Sequence, residues 1–403
     1  MEYIDTLVIG GGAIGSAAAY FLRCAQHAPS VMVVEPDPTY EFASTPRATG
    51  GVRRLFSCPE NIQMSVASME FFACWRQHIA VPGGDSSNTG EAPDLNWKEG
   101  GYLFVVDDRA ASIVERNAAR QREHGVEVHL LDRNELARRF PSIRNDDLTL
   151  AARTPGDGWL DPNAVLQGFR KKAQHLGATY LKDKVTAITL EGPRGAQRAG
   201  RVDLASGATI VAGTIINAAG AWAAEVCKMI GMPLPVVPMR RFEHYVEIAT
   251  ALEPLPLIKD LDRLVCRPEG GNAGRGYSVG LVNGQESPGF NFDTDPAYFE
   301  SVVWPALAWR LPAFEALKLK SEWSGLYDEN TLDGNMILGN WASEVENFYV
   351  AAGFSGHGLM HAPAAGRALA ELIVEGGYRS LDLARMDYRR VIQREALREE
   401  GIV

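Results

Sequence analysis

Cysteine is scarce. The 403-residue chain has five, Cys24, Cys58, Cys74, Cys227 and Cys266, scattered and without a Cys-x-x-Cys pair. That pattern argues against a disulfide framework or a zinc site and fits reduced thiols in a cytoplasmic protein. No run of eighteen apolar residues occurs, so no membrane-spanning helix is expected. The one stretch that mimics a leader, Leu7 to Leu22, is preceded by Glu2 and Asp5 rather than Lys or Arg. Three consecutive glycines also break it, so no signal peptide is expected. Positive charge is in deficit: 40 Lys and Arg against 50 Asp and Glu give a net charge of −10. That balance argues against a general nucleic-acid binder. The chain shows no internal repeat, no low-complexity segment, no Ser/His/Asp triad and no metal-ligand cluster.

The chain is long enough for two domains and a large core, and 46% hydrophobic with 22% charged residues is ordinary for a globular protein. Its most informative stretch is the first. An apolar run, Leu7-Val8-Ile9, meets Gly10-Gly11-Gly12-Ala13-Ile14-Gly15. Ser16 to Leu22 then repeat at helical spacing, and a second apolar run, Val31 to Val34, ends at Glu35. Gly10 permits a tight turn, Gly12 lets a pyrophosphate approach the backbone, and Gly15 lets the helix pack on the strand. The helix N-terminus offers free N–H groups to phosphate. Glu35 stands where a carboxylate would hold ribose hydroxyls, and an acid there disfavours a 2′-phosphate. NAD and FAD both fit this unit.

Further along, Pro36 to Arg54 reads as loop and Glu60 to Ile79 as one helix. Pro82 to Pro93 reads as an exposed loop and Gly101 to Val106 as a strand. Helices are expected at Ala110–His124, near Leu131–Phe140 and at Asn163–Leu176. Strands are expected at Thr179–Leu181 and Val185–Leu190, with a hairpin across Ser206-Gly207. Thr214 to Trp222 reads as a buried strand running into small residues. Pro233–Pro238 reads as irregular, Phe242–Ile248 and Tyr277–Val282 as strands, and Pro268–Gly276 as a turn. A Trp-rich helix at Tyr298–Leu311, a strand at Asn347–Ala352 and a helix at Ala362–Ile373 complete the pattern.

Six stretches, taken in order, resemble the D-amino-acid oxidase superfamily of FAD-dependent oxidoreductases, in its sarcosine oxidase and dimethylglycine dehydrogenase-like branch. They are VIGGGAIGSAAAYFL with Glu35, TGGVRRLFS (49–57), DGWLDPNAVL (157–166), IINAAGAWA (215–223), GLYDENTLDGNMILG (325–339) and AAGFSGHGLMHAPAAG (351–366). The resemblance implies FAD rather than NAD. It implies an α/β (α+β overall) fold: a Rossmann-like FAD-binding domain from residues 1–85, 150–230 and 325–403, and a discontinuous substrate domain, 86–149 and 231–324, built on an antiparallel sheet with helices.

The resemblance also implies site residues. FAD contacts would come from Gly10, Gly12, Ala13, Ile14, Gly15, Glu35 and Pro36, and from Ser44, Thr45, Thr49, Gly50 and Gly51. Val185, Ala218, Ala219, Gly220, Trp222 and Gly325 would add to them, as would the final loop, Gly353, Phe354, Ser355, Gly356, His357, Gly358, Leu359 and Met360. The N-terminus of the last helix would stabilise negative charge on the reduced ring. Arg53 and Arg54 would lie over the flavin and grip a substrate carboxylate. Tyr327 would lie near the substrate, with Arg240, Arg241 and Tyr245 in the segment bordering the pocket.

The chain departs from relatives at three places. Gly325 stands where covalent flavoproteins carry Cys, so non-covalent FAD is expected. Met360 stands where sarcosine-oxidising relatives carry a carboxylate-gripping Lys. A relative's oxygen-activating Lys aligns near Ser278, with Arg275 close by. The expected activity is oxidation of a secondary or N-substituted amino acid such as sarcosine, dimethylglycine or iminodiacetate. Hydride would go to flavin N5, the imine would hydrolyse, and O2 would take the electrons to give H2O2. Two alternatives stay open: a D-amino-acid or glycine dehydrogenase using another acceptor, and a non-catalytic FAD-containing assembly factor.

Overall fold

The computed structural model describes residues 2–82, 90–261, 264–270 and 274–401. Most of the loop expected at Pro82–Pro93 (83–89) and part of the turn expected at Pro268–Gly276 (271–273) lie outside the described residues. In chain order the elements are β1 (Glu2–Ile9), α1 (Ala13–Cys24), β2 (Val31–Glu35), β3 (Gly51–Val52), α2 (Pro59–Ala73), α3 (Trp75–Ile79), β4 (Tyr102–Val106), α4 (Asp108–Glu123), β5 (His129–Asp132), α5 (Arg133–Arg139), β6 (Leu150–Thr154), β7 (Gly158–Trp159), α6 (Pro162–His175), β8 (Thr179–Lys182), β9 (Val185–Glu191), β10 (Arg198–Leu204), β11 (Thr209–Asn217) and α7 (Ala223–Lys228). They continue with β12 (Val236–Glu247), β13 (Leu257–Asp260), β14 (Leu264–Glu269), β15 (Gly276–Leu281), α8 (Pro296–Tyr298), α9 (Trp304–Arg310), β16 (Lys318–Asn330), β17 (Ile337–Trp341), β18 (Val345–Ala352), α10 (Gly358–Glu375) and α11 (Arg389–Gln393).

The fold is mixed α/β, built on two large sheets. The first runs β17-β18-β11-β1-β2-β8, with β9 and β10 attached to β11. β1 pairs in parallel with β2 and β11, and β2 in parallel with β8. Parallel neighbours need a crossover, and α1 supplies it between β1 and β2. The strands of this centre read as continuous apolar runs because both faces are covered. Against one face α1 meets α10 closely enough that a Cβ on Gly366 would lie 2.7 Å from Ala17. The small residues read at 16–19 are therefore the packing surface that admits a second helix.

The second sheet runs β16-β12-β15-β14-β13-β4-β6-β5 and is antiparallel except for β13 beside β4. The domain boundary expected at 150 coincides with the first residue of β6, which pairs with β4 and β5, and the one expected at 325 falls inside β16, which pairs with β12 from Lys318 to Asn330. We propose a division by sheet membership, which assigns 150–154 and 318–330 to the second layer. Among the described residues no helix is long and apolar enough to cross a membrane.

Local differences have local causes. The single helix expected at 60–79 is interrupted at Cys74 and resumes as α3. The segment expected to be irregular at Pro233–Pro238 already enters β12 at Val236. Pro238 O accepts from Gly289 N at 2.9 Å, so the missing proline N–H also points away from the β16 ladder and costs it no bond. The Trp-rich helix expected at 298–311 is broken into α8, a wider turn at Phe299–Val303, and α9. β6, β13 and β14 were not expected.

Candidate active site

A cavity of about 900 Å³ lies between the two sheets, within the size range of small-molecule sites. At one end the glycine turn forms its wall. Gly10 has φ +97°, and a Cβ there would lie 2.5 Å from Ala218 O; on Gly15 it would lie 1.9 Å from Gly10 O. Only glycine fits either place. Gly12 differs: its nearest heavy atom to a Cβ would be Thr45 Oγ1 at 3.8 Å, leaving the backbone open toward the cavity. Gly12 is the N-cap of α1 and makes no side-chain cap bond of its own; at that end Thr45 Oγ1 accepts from Ala13 N at 3.3 Å.

Glu35 closes this end. Its carboxylate takes Gly11 N at 2.8 Å and Asp37 N at 3.0 Å, and burial pushes its carboxyl above the ordinary range. Beside it Tyr40 adopts φ +59°, and its buried hydroxyl has no hydrogen-bond partner among the described residues. A left-handed tyrosine with an orphaned hydroxyl at the edge of the cavity is an unmet acceptor or donor in a strained position.

Gly10, Gly12, Ala13, Ile14, Glu35, Pro36, Ser44, Thr45, Thr49, Gly50, Gly51, Val185, Ala218, Ala219, Gly220, Trp222, Gly325, Phe354, Gly356, Gly358 and Leu359 all line the cavity, as does Tyr327. Of the expected cofactor contacts, Gly15, Gly353, Ser355, His357 and Met360 do not. Gly15 is spent on the helix–strand contact, and Gly353 N is held by Asp328 Oδ2 at 2.8 Å. Ser355, at φ +50°, receives Asn330 N on its hydroxyl at 3.0 Å. Met360 is buried in the apolar core under α10. No Cys or His side chain lines the cavity.

The loop at 50–54 and the loop at 353–358 meet. Arg53 Nη2 lies 3.1 Å from His357 Nε2. Because guanidinium only donates, that imidazole nitrogen accepts. Burial first, then the Arg53 charge, hold His357 well below its ordinary pKa, so it is neutral. Yet five of the residues expected at or near the substrate, Arg53, Arg54, Arg240, Tyr245 and Met360, do not line the cavity, whereas Tyr327 and Arg241 do. Arg53 is 2% exposed, with its guanidinium 4.0 Å from the Phe56 ring centre and a bond to Leu55 O. Arg54 is ion-paired to fully buried Asp157 at 2.6 Å. Arg240 is paired to Glu286 at 2.9 Å. The Tyr245 ring packs over Gly276.

Arg241, expected with Arg240 and Tyr245 in the segment bordering the pocket, does line the cavity, and so does Glu243, which sequence reading did not notice. They are two apart on β12 and so on one face. Arg241 donates to Glu329 Oε2 at 3.0 Å and to Arg240 O at 3.0 Å. Its Nε is buried without a partner among the described residues. Its guanidinium lies 5.1 Å from the centre of the Tyr327 ring, and that ring packs against Gly356, where a Cβ would come within 2.4 Å. One contact chain therefore joins the final glycine loop to the cationic wall. Alternation along β12 was readable; which parity faced the cavity was not.

A Rossmann-type turn opening into a large cavity, with an arginine in its wall, is the arrangement of a dinucleotide-binding enzyme. The FAD dependent oxidoreductase family model (DAO) matches residues 5–372, and the chain belongs to that family. It is 37% identical to the FAD-dependent oxidoreductase domain-containing protein 1 of Xenopus laevis, over all of this chain and 85% of that protein. It is 27% identical to the mitochondrial sarcosine dehydrogenase of Mus musculus, over 92% of this chain but 40% of that protein. Among solved structures, the L-proline dehydrogenase from P. horikoshii superposes with a TM-score of 0.84 at 26% identity, covering 98% of this chain and all of that one. FAD is thus the dinucleotide, and the open backbone at Gly12, the carboxylate of Glu35 and the orphaned Tyr40 hydroxyl fit it.

Proposed function

We propose that the protein oxidises the C–N bond of a secondary or N-substituted amino acid, the carboxylate resting on Arg241. The observation that carries this reading is Arg241, a part-exposed guanidinium in the wall of the same cavity as the FAD turn. A guanidinium is matched by a carboxylate. Bound FAD supplies the hydride acceptor. The chain orients the substrate: Arg241 fixes its carboxylate, and Tyr327, packed on Gly356, sets the wall beside the ring loop. The two relatives named for a substrate support a secondary amine, since sarcosine and proline both are. This reading takes O2 as acceptor, with H2O2 as product. Peroxide yield set against dye reduction across sarcosine, dimethylglycine, iminodiacetate, proline and glycine tests substrate and acceptor together. If no amine bleaches the flavin anaerobically, the reading fails.

Arg241→Met should raise KM for carboxylated amines roughly 10- to 100-fold, the loss of charge-assisted bonds of about 1.5–3 kcal/mol. Amines without a carboxylate should be unaffected; steady-state kinetics on both classes checks this. We also read the FAD as non-covalent, because neither Gly325 nor any other lining residue offers a thiol or imidazole. Acid precipitation should leave the yellow colour in the supernatant. Cytoplasmic placement belongs to the same proposal; the sarcosine dehydrogenase above is named mitochondrial, and cell fractionation separates the two.

A further inference from the structure

Glu243 is 8% exposed, yet among the described residues no Lys, Arg or His forms an ion pair with it. Buried carboxylates are ordinarily paired. The nearest candidate, Arg267, is engaged elsewhere: it holds Glu269 at 2.7 Å and Thr49 O at 2.9 Å. Ser278 Oγ donates to Glu243 Oε1, and Oε2 takes no hydrogen bond from a described residue. Arg241 and Glu243 are two residues apart on one strand, about 6–7 Å along the backbone, and both line the cavity. One face thus presents a guanidinium and a carboxylate, and one oxygen of the carboxylate takes no hydrogen bond from a described residue. That is the mirror of a zwitterion.

We propose that Glu243 binds the substrate's amine nitrogen and accepts its proton, so that an amino acid is held end to end between Arg241 and Glu243. The inference rests on the amine-oxidation reading and narrows it to zwitterionic α-amino acids. The ammonium N–H proton passes to the Glu243 carboxylate, which becomes a carboxyl, and the nitrogen lone pair is freed. A C–H bond next to the nitrogen could then break, its electron pair leaving as the hydride that bound FAD would accept, while the lone pair closes the C=N bond. An ammonium has no lone pair for that closure, so deprotonation is obligatory.

The surroundings suit the task. Burial raises the Glu243 carboxyl to about 7, opposed by the Ser278 bond and the Arg267 charge and helped by Glu269. The other ionisable groups coupled to it are Cys266 on β14, its thiol pushed up by burial, and Tyr327 on β16, likewise pushed up. Arg240 and Arg241 are the arginines on its own strand, Arg240 being paired to Glu286. The upward shift brings the carboxylate closer in basicity to an amine and so makes it a better acceptor for an ammonium proton.

Glu243→Gln keeps the shape and an acceptor for Ser278 and removes the base. In the holoenzyme it should lower kcat/KM at pH 7 by roughly 10²–10⁴-fold. The acid limb near pH 7 should vanish, leaving one set by the free substrate amine at alkaline pH. (Methylthio)acetate, which has the carboxylate and no amine, should bind both proteins equally by flavin difference absorbance. Equal analogue binding also shows that the variant is folded and loaded. A variant within threefold of wild type with the acid limb retained overturns the proposal, and so does an equal loss of analogue binding. Glu243→Asp, which restores the carboxylate, should recover the limb. If wild-type flavin is bleached by no amine, the function reading itself falls; if it is bleached and Glu243→Gln is indifferent, only this inference does.

Discussion

Gly10→Val protein should leave the column colourless. Two independent costs meet at this residue. Its φ of +97° is outside what a β-branched residue adopts, a strain of about 1–2 kcal/mol or more. Its Cβ would stand 2.5 Å from Ala218 O and 2.9 Å from Ala219 Cα, both backbone atoms that cannot rotate away. Overpacking of this kind adds about 1–3 kcal/mol. Relief requires moving the end of β1 away from the Ala218–Trp222 turn, and both segments line the FAD cavity. We expect FAD affinity to fall at least roughly 100-fold, from the two costs together. Flavin absorbance after dialysis measures the loss, and far-ultraviolet circular dichroism confirms the fold. A yellow Gly10→Val protein with wild-type flavin content would remove the turn from the cofactor site. Gly12→Ala is the contrast: its Cβ finds no protein atom closer than 3.8 Å, so loss of colour there reports on the ligand rather than on the chain.

These contrasts mark what a linear reading reaches. The β1–α1–β2 unit was legible because its chemistry is local: glycines, apolar runs and Glu35 sit within one crossover. The final loop was legible for the same reason. The substrate wall was not. Arg53 and Arg54 follow Gly50-Gly51 and look available, but the residue that claims Arg54 is Asp157, 103 positions away, and nothing around Arg54 announces that ion pair. Arg240 and Arg241 are adjacent and equally basic. Only the register of β12 against β16 and β15 sends Arg240 to Glu286 and Arg241 to the cavity. Glu243 carried no signal, because an acid in an alternating strand reads as a solvated face. β14, Leu264–Glu269, contains Pro268 and does not alternate, so it resembled a turn.

The second large effect concerns how the final loop is held. Asp328 lies at the end of β16, and its Oδ2 accepts Gly353 N at 2.8 Å and Phe354 N at 3.1 Å. Its backbone oxygen also takes Ser355 N at 3.2 Å. One residue thus fastens the strand carrying Tyr327 to the loop preceding α10. Asp328→Ala strips two buried N–H groups of their acceptor, at about 1–3 kcal/mol each. The holoenzyme should lose roughly 2–6 kcal/mol of stability by that count, and Tyr327 should no longer be fixed against Gly356. Asp328→Asn separates the bond from the charge, since an amide oxygen still accepts. Burial raises the Asp328 carboxyl to about 6 from its ordinary 3.8, against the pull of the Phe354 and Gly353 bonds. The folded state therefore binds this proton more tightly than the unfolded one, and the stability it contributes is lost as pH rises through about 4 to 6. Above that window the buried charge is a net burden, so Asp328→Asn should equal or exceed wild type at pH 8 and converge with it below pH 4. Urea unfolding at pH 4, 6 and 8 reads the difference. If Asp328→Asn is as damaged as Asp328→Ala at pH 8, the charge itself holds the loop, and the acceptor account of this joint is wrong.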